Sequence, residues 1–403
     1  MNPRSSAGSG WRGITTSIMQ AMQVSPALRA TGTYPFVRLE RAKRRLAAEG
    51  VALIDFGKGD PMEPTDPAIR AALVDGLRER MGYPLAEGLP ELRRAVAGWC
   101  ARRFDVDLDP ETEIVPTYGS KEAIFLLAQV VVDPRSERNI VLTTEPGYPV
   151  PDRGGAFAGA EVRQLPLREE NGFLPDLDAV DDSVWERTSI AWINYPNNPT
   201  GAVAPPEFLA RLADLSREHG FLLASDEAYT ELWFDTPPHS ALEVRERGNI
   251  AVFNTLSKRS SMTGYRSGFV AADRELIDAL KQFRPSVGTA PQEFVQRASV
   301  VAWNDEDHVE RTRAAYRAKR EVLLPVLARK DVRVAGGSAT MFLWLEVPGD
   351  DSSESFAERL LEHGLVVSPG SFFGSAGEGY WRIALVPTYD ECRRAGEILD
   401  AVL

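Results

Sequence analysis

Cysteine, histidine and surplus positive charge are all scarce in this chain, and each scarcity removes a class of protein. Two cysteines, Cys100 and Cys392, cannot build a disulfide framework, and a core drawn from 403 residues needs none. The four histidines, His219, His239, His308 and His363, are too scattered to give metal-ligand spacing, which argues against a zinc protein. With 46 Lys and Arg against 58 Asp and Glu the formal charge is −12, so nothing favours nucleic acid or an anionic membrane as partner. One pocket can still be basic on an acidic surface. Long apolar runs are missing as well. The most apolar stretch, Ala123 to Val132, is broken by Gln129 and is much shorter than the about 20 residues that span a bilayer, so it reads as a buried helix. The first 32 residues, with Ser5-Ser6-Ala7-Gly8-Ser9-Gly10, lack the apolar centre of a signal peptide. A cytoplasmic protein with a flexible arm over residues 1–32 is expected.

What is present is an alternation of helical and strand-like patterns. From Arg38 to Glu49, Leu39, Ala42 and Leu46 recur at helical spacing before Gly50. Thr65-Asp66-Pro67 reads as a helix start, with Ile69, Leu73 and Leu77 repeating behind it, and another helix begins near Pro90 with Leu92, Val96 and Trp99 inward. In the middle of the chain come short continuous apolar runs: Ile140-Val141-Leu142, Ile190-Ala191-Trp192-Ile193, Phe221-Leu222-Leu223-Ala224 and Ile250-Ala251-Val252-Phe253. Runs without alternation suit strands covered on both faces, hence an α/β fold with a mainly parallel sheet. A helix after Pro205-Pro206, ending at Gly220, lies between two of them. Beyond about Asp307 a long charged helix, an alternating strand from Phe342 to Val347, a helix near Phe356 to His363 and a last strand and helix read as a smaller α+β unit.

In open sheets of this kind ligands sit beyond the carboxyl ends of the strands. The residues there are Thr117-Tyr118-Gly119-Ser120-Lys121, Asn194-Tyr195-Pro196-Asn197-Asn198-Pro199-Thr200-Gly201, Ser225-Asp226-Glu227-Ala228-Tyr229 and Thr255 through Gly268. Helix-start amides, hydroxyls and an arginine suit a phosphate, and a carboxylate buried at a neighbouring strand end needs a cationic partner. Pyridoxal phosphate uses both features together with a lysine.

From about Val37 onward the chain resembles the class I and II aminotransferases of fold type I. The resemblance rests on Asn-Asn-Pro-Thr-Gly at 197–201, Asp-Glu-Ala-Tyr at 226–229, and Ser257-Lys258 with Arg266-Ser267-Gly268, in the family's order. It implies a large domain over residues 60–299 with a mainly parallel seven-stranded sheet between helices. It also implies a smaller α+β domain from residues 33–59 and 300–403. The cofactor implied is pyridoxal 5′-phosphate. Lys258 then is the Schiff-base lysine and the base that moves a proton between the substrate Cα and the cofactor. Asp226 pairs with the pyridinium nitrogen, and Tyr229 and Asn198 bond the phenolic oxygen. Gly119, Ser120, Lys121, Thr255, Ser257 and Arg266 form the phosphate cup, Tyr148 stacks on the ring, and Tyr83 reaches the phosphate of a neighbouring subunit in a homodimer with shared active sites. Arg382, in Tyr380-Trp381-Arg382-Ile383-Ala384, grips the substrate α-carboxylate, with Asn198 and Gly59 also on the substrate.

The same residues serve an aminotransferase working by ping-pong transfer or a lyase on the same fold, for instance one cleaving C–S bonds. A sensor built on this fold needs a DNA-binding domain ahead of it, for which about 32 residues are too few. Gly336 to Trp344, Val367 to Gly374 and Gly59-Asp60-Pro61 resemble bacterial N-succinyldiaminopimelate aminotransferases of lysine biosynthesis. That implies glutamate as donor and N-succinyl-2-amino-6-oxopimelate as acceptor, with enzymes acting on aspartate or other amino acids as the alternative. Lys58, Arg38 and the N-terminal arm are candidates for a distal carboxylate.

Overall fold

The structure, a computed structural model, describes residues 24–30, 36–288 and 290–403. Its strands are β1 (Ile54–Asp55), β2 (Ile114–Thr117), β3 (Ile140–Glu145), β4 (Glu161–Pro166), β5 (Thr188–Asn194), β6 (Leu222–Asp226) and β7 (Ile250–Thr255). They continue with β8 (Gly268–Ala272), β9 (Val334–Gly336), β10 (Phe342–Glu346), β11 (Leu365–Val366), β12 (Ser368–Pro369) and β13 (Tyr380–Ala384). Seven form one sheet in the order β2-β8-β7-β6-β5-β3-β4. The run from β4 to β7 is parallel, and β8 is antiparallel to both its neighbours.

This sheet is α/β because its strands are apolar on both sides. Along β5, Ile190 and Trp192 join one apolar cluster with Ile124 and Leu127 of the Ser120–Val131 helix, while Ala191 and Ile193 join the cluster on the opposite face. Successive side chains of a strand point to opposite faces, so a run with no polar position needs helices on both. The Pro206–His219 helix supplies Phe208, Leu209 and Leu212 to the second face and stops at Gly220, whose φ of 70° suits glycine.

A further cluster surrounds the antiparallel sheet β12-β13-β10-β9 and the Asp307–Arg329, Ser353–Glu362 and Tyr389–Val402 helices. Here β1 pairs in parallel with β11, Ile54 opposite Leu365, which joins residues near the start of the described chain to its last quarter. The boundary expected at 299/300 falls inside the Glu293–Asn304 helix, whose Ala298, Ala302 and Trp303 pack under the large sheet. We propose the change of unit after Asn304.

Two further expectations change. The helix that Asp66 caps ends at Asp75, and Leu77 lies beyond it and is exposed, because the apolar spacing runs past the stop at Gly76. The strand read as alternating, β10, buries Phe342, Leu343, Trp344 and Leu345 alike, since both its faces are covered. Of the arm expected over residues 1–32 only 24–30 are described, with a five-residue helix at Pro26–Ala30. Among the described residues no helix is long and apolar enough to cross a membrane.

Candidate active site

The carboxyl ends of β2, β5, β6 and β7 open on a cavity of about 360 Å3. Lys258, Asp226, Tyr229, Asn198, Tyr148, Ser120, Lys121, Thr255, Ser257, Arg266, Arg382 and Gly59 all line it, so segments separated by as many as 323 residues meet there. Gly119 and Tyr83 do not line it. Gly119 stands behind Arg266: its φ is 77°, and a Cβ there would lie 2.6 Å from Arg266 Nη2. Tyr83 is fully exposed in the single chain.

Lys258 is carried by the short Leu256–Arg259 helix, which begins where β7 ends and is capped by Thr255. The next residue anchors that helix. Arg259 is buried between the rings of Trp303 and Trp99, 4.7 and 5.4 Å from their centroids, and its Nη2 donates to both carboxylate oxygens of Glu306 at 2.9 Å. Trp99, Trp303 and Phe269 pack on one another with centroids 4.7 to 6.1 Å apart, contacts worth about 0.5–1.5 kcal/mol each beyond their burial. The Lys258 amine donates to the Gly59 carbonyl. Burial pushes its pKa down to about 8; Arg382 and Arg266 push the same way, against Asp60 and Asp226.

Asp226 ends β6 and is 6% exposed. Its carboxylate accepts from the Ala228 amide at 3.3 Å, and burial pushes it up to about 7 in spite of that bond and of Lys258. A buried acid held so weakly suits a cationic ring nitrogen. Asn194, at the end of β5, fixes the geometry: its Nδ2 donates to the Asp226 carbonyl at 2.8 Å and its Oδ1 accepts from the Asn198 amide at 2.9 Å.

On one side of Asp226 lie Ser120, Lys121, Thr255, Ser257 and Arg266. Burial and the charges of Arg266 and Arg153 lower the Lys121 pKa, so cations repel one another in this corner. With the amides at the start of the Ser120–Val131 helix, that donor set fits a phosphate. The Thr255 hydroxyl is partly committed elsewhere, donating to the Ser267 carbonyl at 2.8 Å and capping Ser257. Tyr148 forms a wall, with the Lys121 amine 5.9 Å from its ring centroid.

On the other side Arg382 is 3% exposed and sandwiched between Phe342 and Phe373, 4.2 and 4.5 Å from their ring centroids. It donates to Asn198 Oδ1 at 2.8 Å and to the Gly57 carbonyl at 2.9 Å. Asn198 thus meets the expected carboxylate-binding arginine as well as the Asp226 side of the site. Tyr229 packs edge-on against Phe342 at 5.3 Å. Asn194, Phe342 and Phe373 were missed as functional from sequence. Asn194 closes an apolar run and opens the Asn-Tyr-Pro motif, a legible position, whereas the two phenylalanines look like ordinary core residues.

A mainly parallel sheet with a lysine, a buried carboxylate and a donor set for an anion at its strand ends suits an enzyme that works on amino groups. The family model for aminotransferase class I and II matches residues 51–399, and this chain belongs to that family. It is an aminotransferase. It is 40% identical over 373 residues to the LL-diaminopimelate aminotransferase of Aquifex aeolicus, covering 91% of this chain and 96% of the relative. Substrate-bound BacF from Bacillus subtilis superposes with a TM-score of 0.88 at 31% identity, covering 94% of this chain and 98% of the other. A probable N-succinyldiaminopimelate aminotransferase from Thermus thermophilus gives 0.85 at 30% identity, covering 91% and 100%.

Proposed function

We propose that this chain is a pyridoxal-phosphate aminotransferase whose substrate is LL-diaminopimelate or its keto counterpart, with glutamate and 2-oxoglutarate as the second pair. The observation that carries this reading is that Lys258 lines one cavity with the buried Asp226 and the buried Arg382. When bound, pyridoxal phosphate supplies a carbonyl that takes up the amino group and a ring that accepts the electron pair left at Cα. Lys121, Ser120, Ser257 and Arg266 hold its phosphate, and Asp226 keeps the ring nitrogen protonated. Tyr148 would pack against the ring, and Tyr229 and Asn198 would donate to its phenolic oxygen. Arg382 would fork onto the substrate carboxylate and so aim the Cα–H bond at the Lys258 amine, which would take up that proton.

Support for the substrate class comes from the LL-diaminopimelate aminotransferases among the relatives. The solved Thermus neighbour supports a second reading, the N-succinyl substrate implied by the sequence motifs. Tyr83, exposed in the single chain, is assigned to the phosphate cup of a second subunit, which makes the working unit a dimer.

The test is a half-reaction series that follows the visible absorbance of the purified enzyme on mixing with LL-diaminopimelate, its N-succinyl derivative, aspartate and alanine. Fast bleaching by LL-diaminopimelate, restored by 2-oxoglutarate, supports the proposal. Bleaching by the succinylated compound alone moves the assignment to the second reading, and ammonia release without a keto acceptor identifies a lyase. A fully active monomer overturns the shared site.

A further inference from the structure

The segment Gly57 to Asp60 touches both Arg382 and Lys258, the two groups assigned above to the reacting end of a substrate. The Gly57 carbonyl accepts from Arg382 Nη2 at 2.9 Å and from Ser368 Oγ at 2.7 Å, and the Gly59 carbonyl accepts from Lys258. Gly59 lies flat on Phe342, where a Cβ would come within 2.8 Å of the ring. The side chains flanking it, Lys58 and Asp60, both line the cavity and both are exposed to solvent.

These two side chains have opposite charges and stand two residues apart. Lys58 is held in place by Glu40, on the Phe36–Ala48 helix, at 2.8 Å. Glu40 also pairs with Lys43 at 2.6 Å, and Lys43 with Asp55. Hydrogen bonds from Lys43 and Lys58 hold the Glu40 carboxyl down to about 2, so it stays ionised and keeps the Lys58 ammonium at the cavity edge. That ammonium has three protons and its side chain is 48% exposed, which leaves it donors for a ligand. Asp60 is close enough to Lys258 for its charge to raise the lysine's pKa.

We propose that Lys58 and Asp60 form the subsite for the far end of the substrate, Lys58 taking the distal carboxylate and Asp60 the distal ammonium. This deepens the diaminopimelate reading and rests on it. Diaminopimelate carries an α-amino carboxylate at each end: Arg382 and Lys258 handle the reacting one, and a cation and an anion wait for the other. A monocarboxylic amino acid leaves both side chains to water, and succinylation removes the cation that Asp60 would meet. Of the other two candidates for this role, Arg38 has a side chain outside the described residues, and of the N-terminal arm only 24–30 are described.

The experiment uses three amino donors of equal chain length with the intact holoenzyme. LL-diaminopimelate has both distal groups, L-2-aminoheptanedioate only the carboxylate, and L-2-aminoheptanoate neither. Half-reaction kcat/KM is measured for wild type, Lys58→Met and Asp60→Asn, and the ratios among substrates are read, so that a change in Lys258 common to all three cancels. Lys58→Met is expected to lower both diacids at least tenfold relative to 2-aminoheptanoate, through KM. Asp60→Asn is expected to lower diaminopimelate alone, at least fivefold relative to 2-aminoheptanedioate. Equal factors for all three substrates, or no change, overturn the subsite. If wild type fails on diaminopimelate, the activity reading and the Asp60 role fall together, while the Lys58 role is still decided by 2-aminoheptanedioate against 2-aminoheptanoate.

Discussion

Asp226→Asn should make the cofactor-stripped protein more stable while abolishing its activity. The carboxyl is 6% exposed and burial moves its pKa from 3.8 to about 7. Because the folded-state value is the higher one, the folded chain binds the proton more tightly than the unfolded chain does. The stability tied to the protonated carboxyl is complete below about pH 4 and is lost as the pH climbs to 7. At 1.36 kcal/mol per tenfold, the loss reaches about 4 kcal/mol by pH 8 and is about 1–2 kcal/mol at pH 5. Asparagine is nearly isosteric, keeps an oxygen for the Ala228 amide and carries no charge, so the substitution removes this cost. Part of the gain is offset, since Lys258 loses a partner and the new amide needs an acceptor. A net gain of about 2–4 kcal/mol at pH 8 remains, shrinking towards pH 5. Urea unfolding of both stripped proteins at pH 5, 6, 7 and 8 measures it. A difference independent of pH, or a variant less stable at pH 8, refutes the reasoning. The catalytic loss, at least a thousandfold, is read separately in the loaded enzyme.

Three further outcomes follow from the site. Since burial pushes the Lys258 amine down to about 8 and only the neutral amine is a nucleophile, the rate of recapture of pyridoxal phosphate by stripped enzyme should rise from pH 6 and level off above about pH 9; stopped-flow absorbance gives the profile, and a flat one contradicts the assignment. Arg382→Lys should lower kcat/KM at least a hundredfold, because an ammonium cannot fork onto a carboxylate while also serving Asn198 and Gly57; a loss under tenfold in the half-reaction would count against the α-carboxylate role. Gly119→Ala puts a Cβ at φ 77° against Arg266 and should weaken cofactor binding about tenfold while lowering stability by about 1–3 kcal/mol; absorbance titration and urea unfolding check the two, and unaltered affinity denies Arg266 a share in the phosphate cup.

The parts legible in sequence are those where one segment carries its own reason. Ile190 to Ile193 is apolar at every position because helices cover both faces of β5, and Asp226 follows such a run with Ser225 between, so strand and acid were readable together. Leu77 misled because a helical period does not record that Gly76 has already ended the helix. Phe342 to Val347 was read as alternating although Glu346 is its one polar residue, and a run so apolar packs on both sides of β10. Phe373 and Phe342 were hidden as functional residues, since nothing local to an aromatic tells a core position from the face of a buried guanidinium. The pairing of Lys58 with Glu40 depends on how the Phe36–Ala48 helix docks, and spacing in the chain does not contain that.

The short parallel pair of β1 and β11 also bears on how the protein comes into being. Residues 54 and 55 have no strand partner until residues 365 and 366 exist, so during synthesis the segment that supplies Gly57, Lys58, Gly59 and Asp60 waits through most of translation. The large sheet, complete at Ala272, can form earlier. Arg382 arrives last of all. A chain made only as far as Ala272 therefore carries Lys258 and the residues proposed for the phosphate, while Arg382, proposed for the amino acid, is still to come.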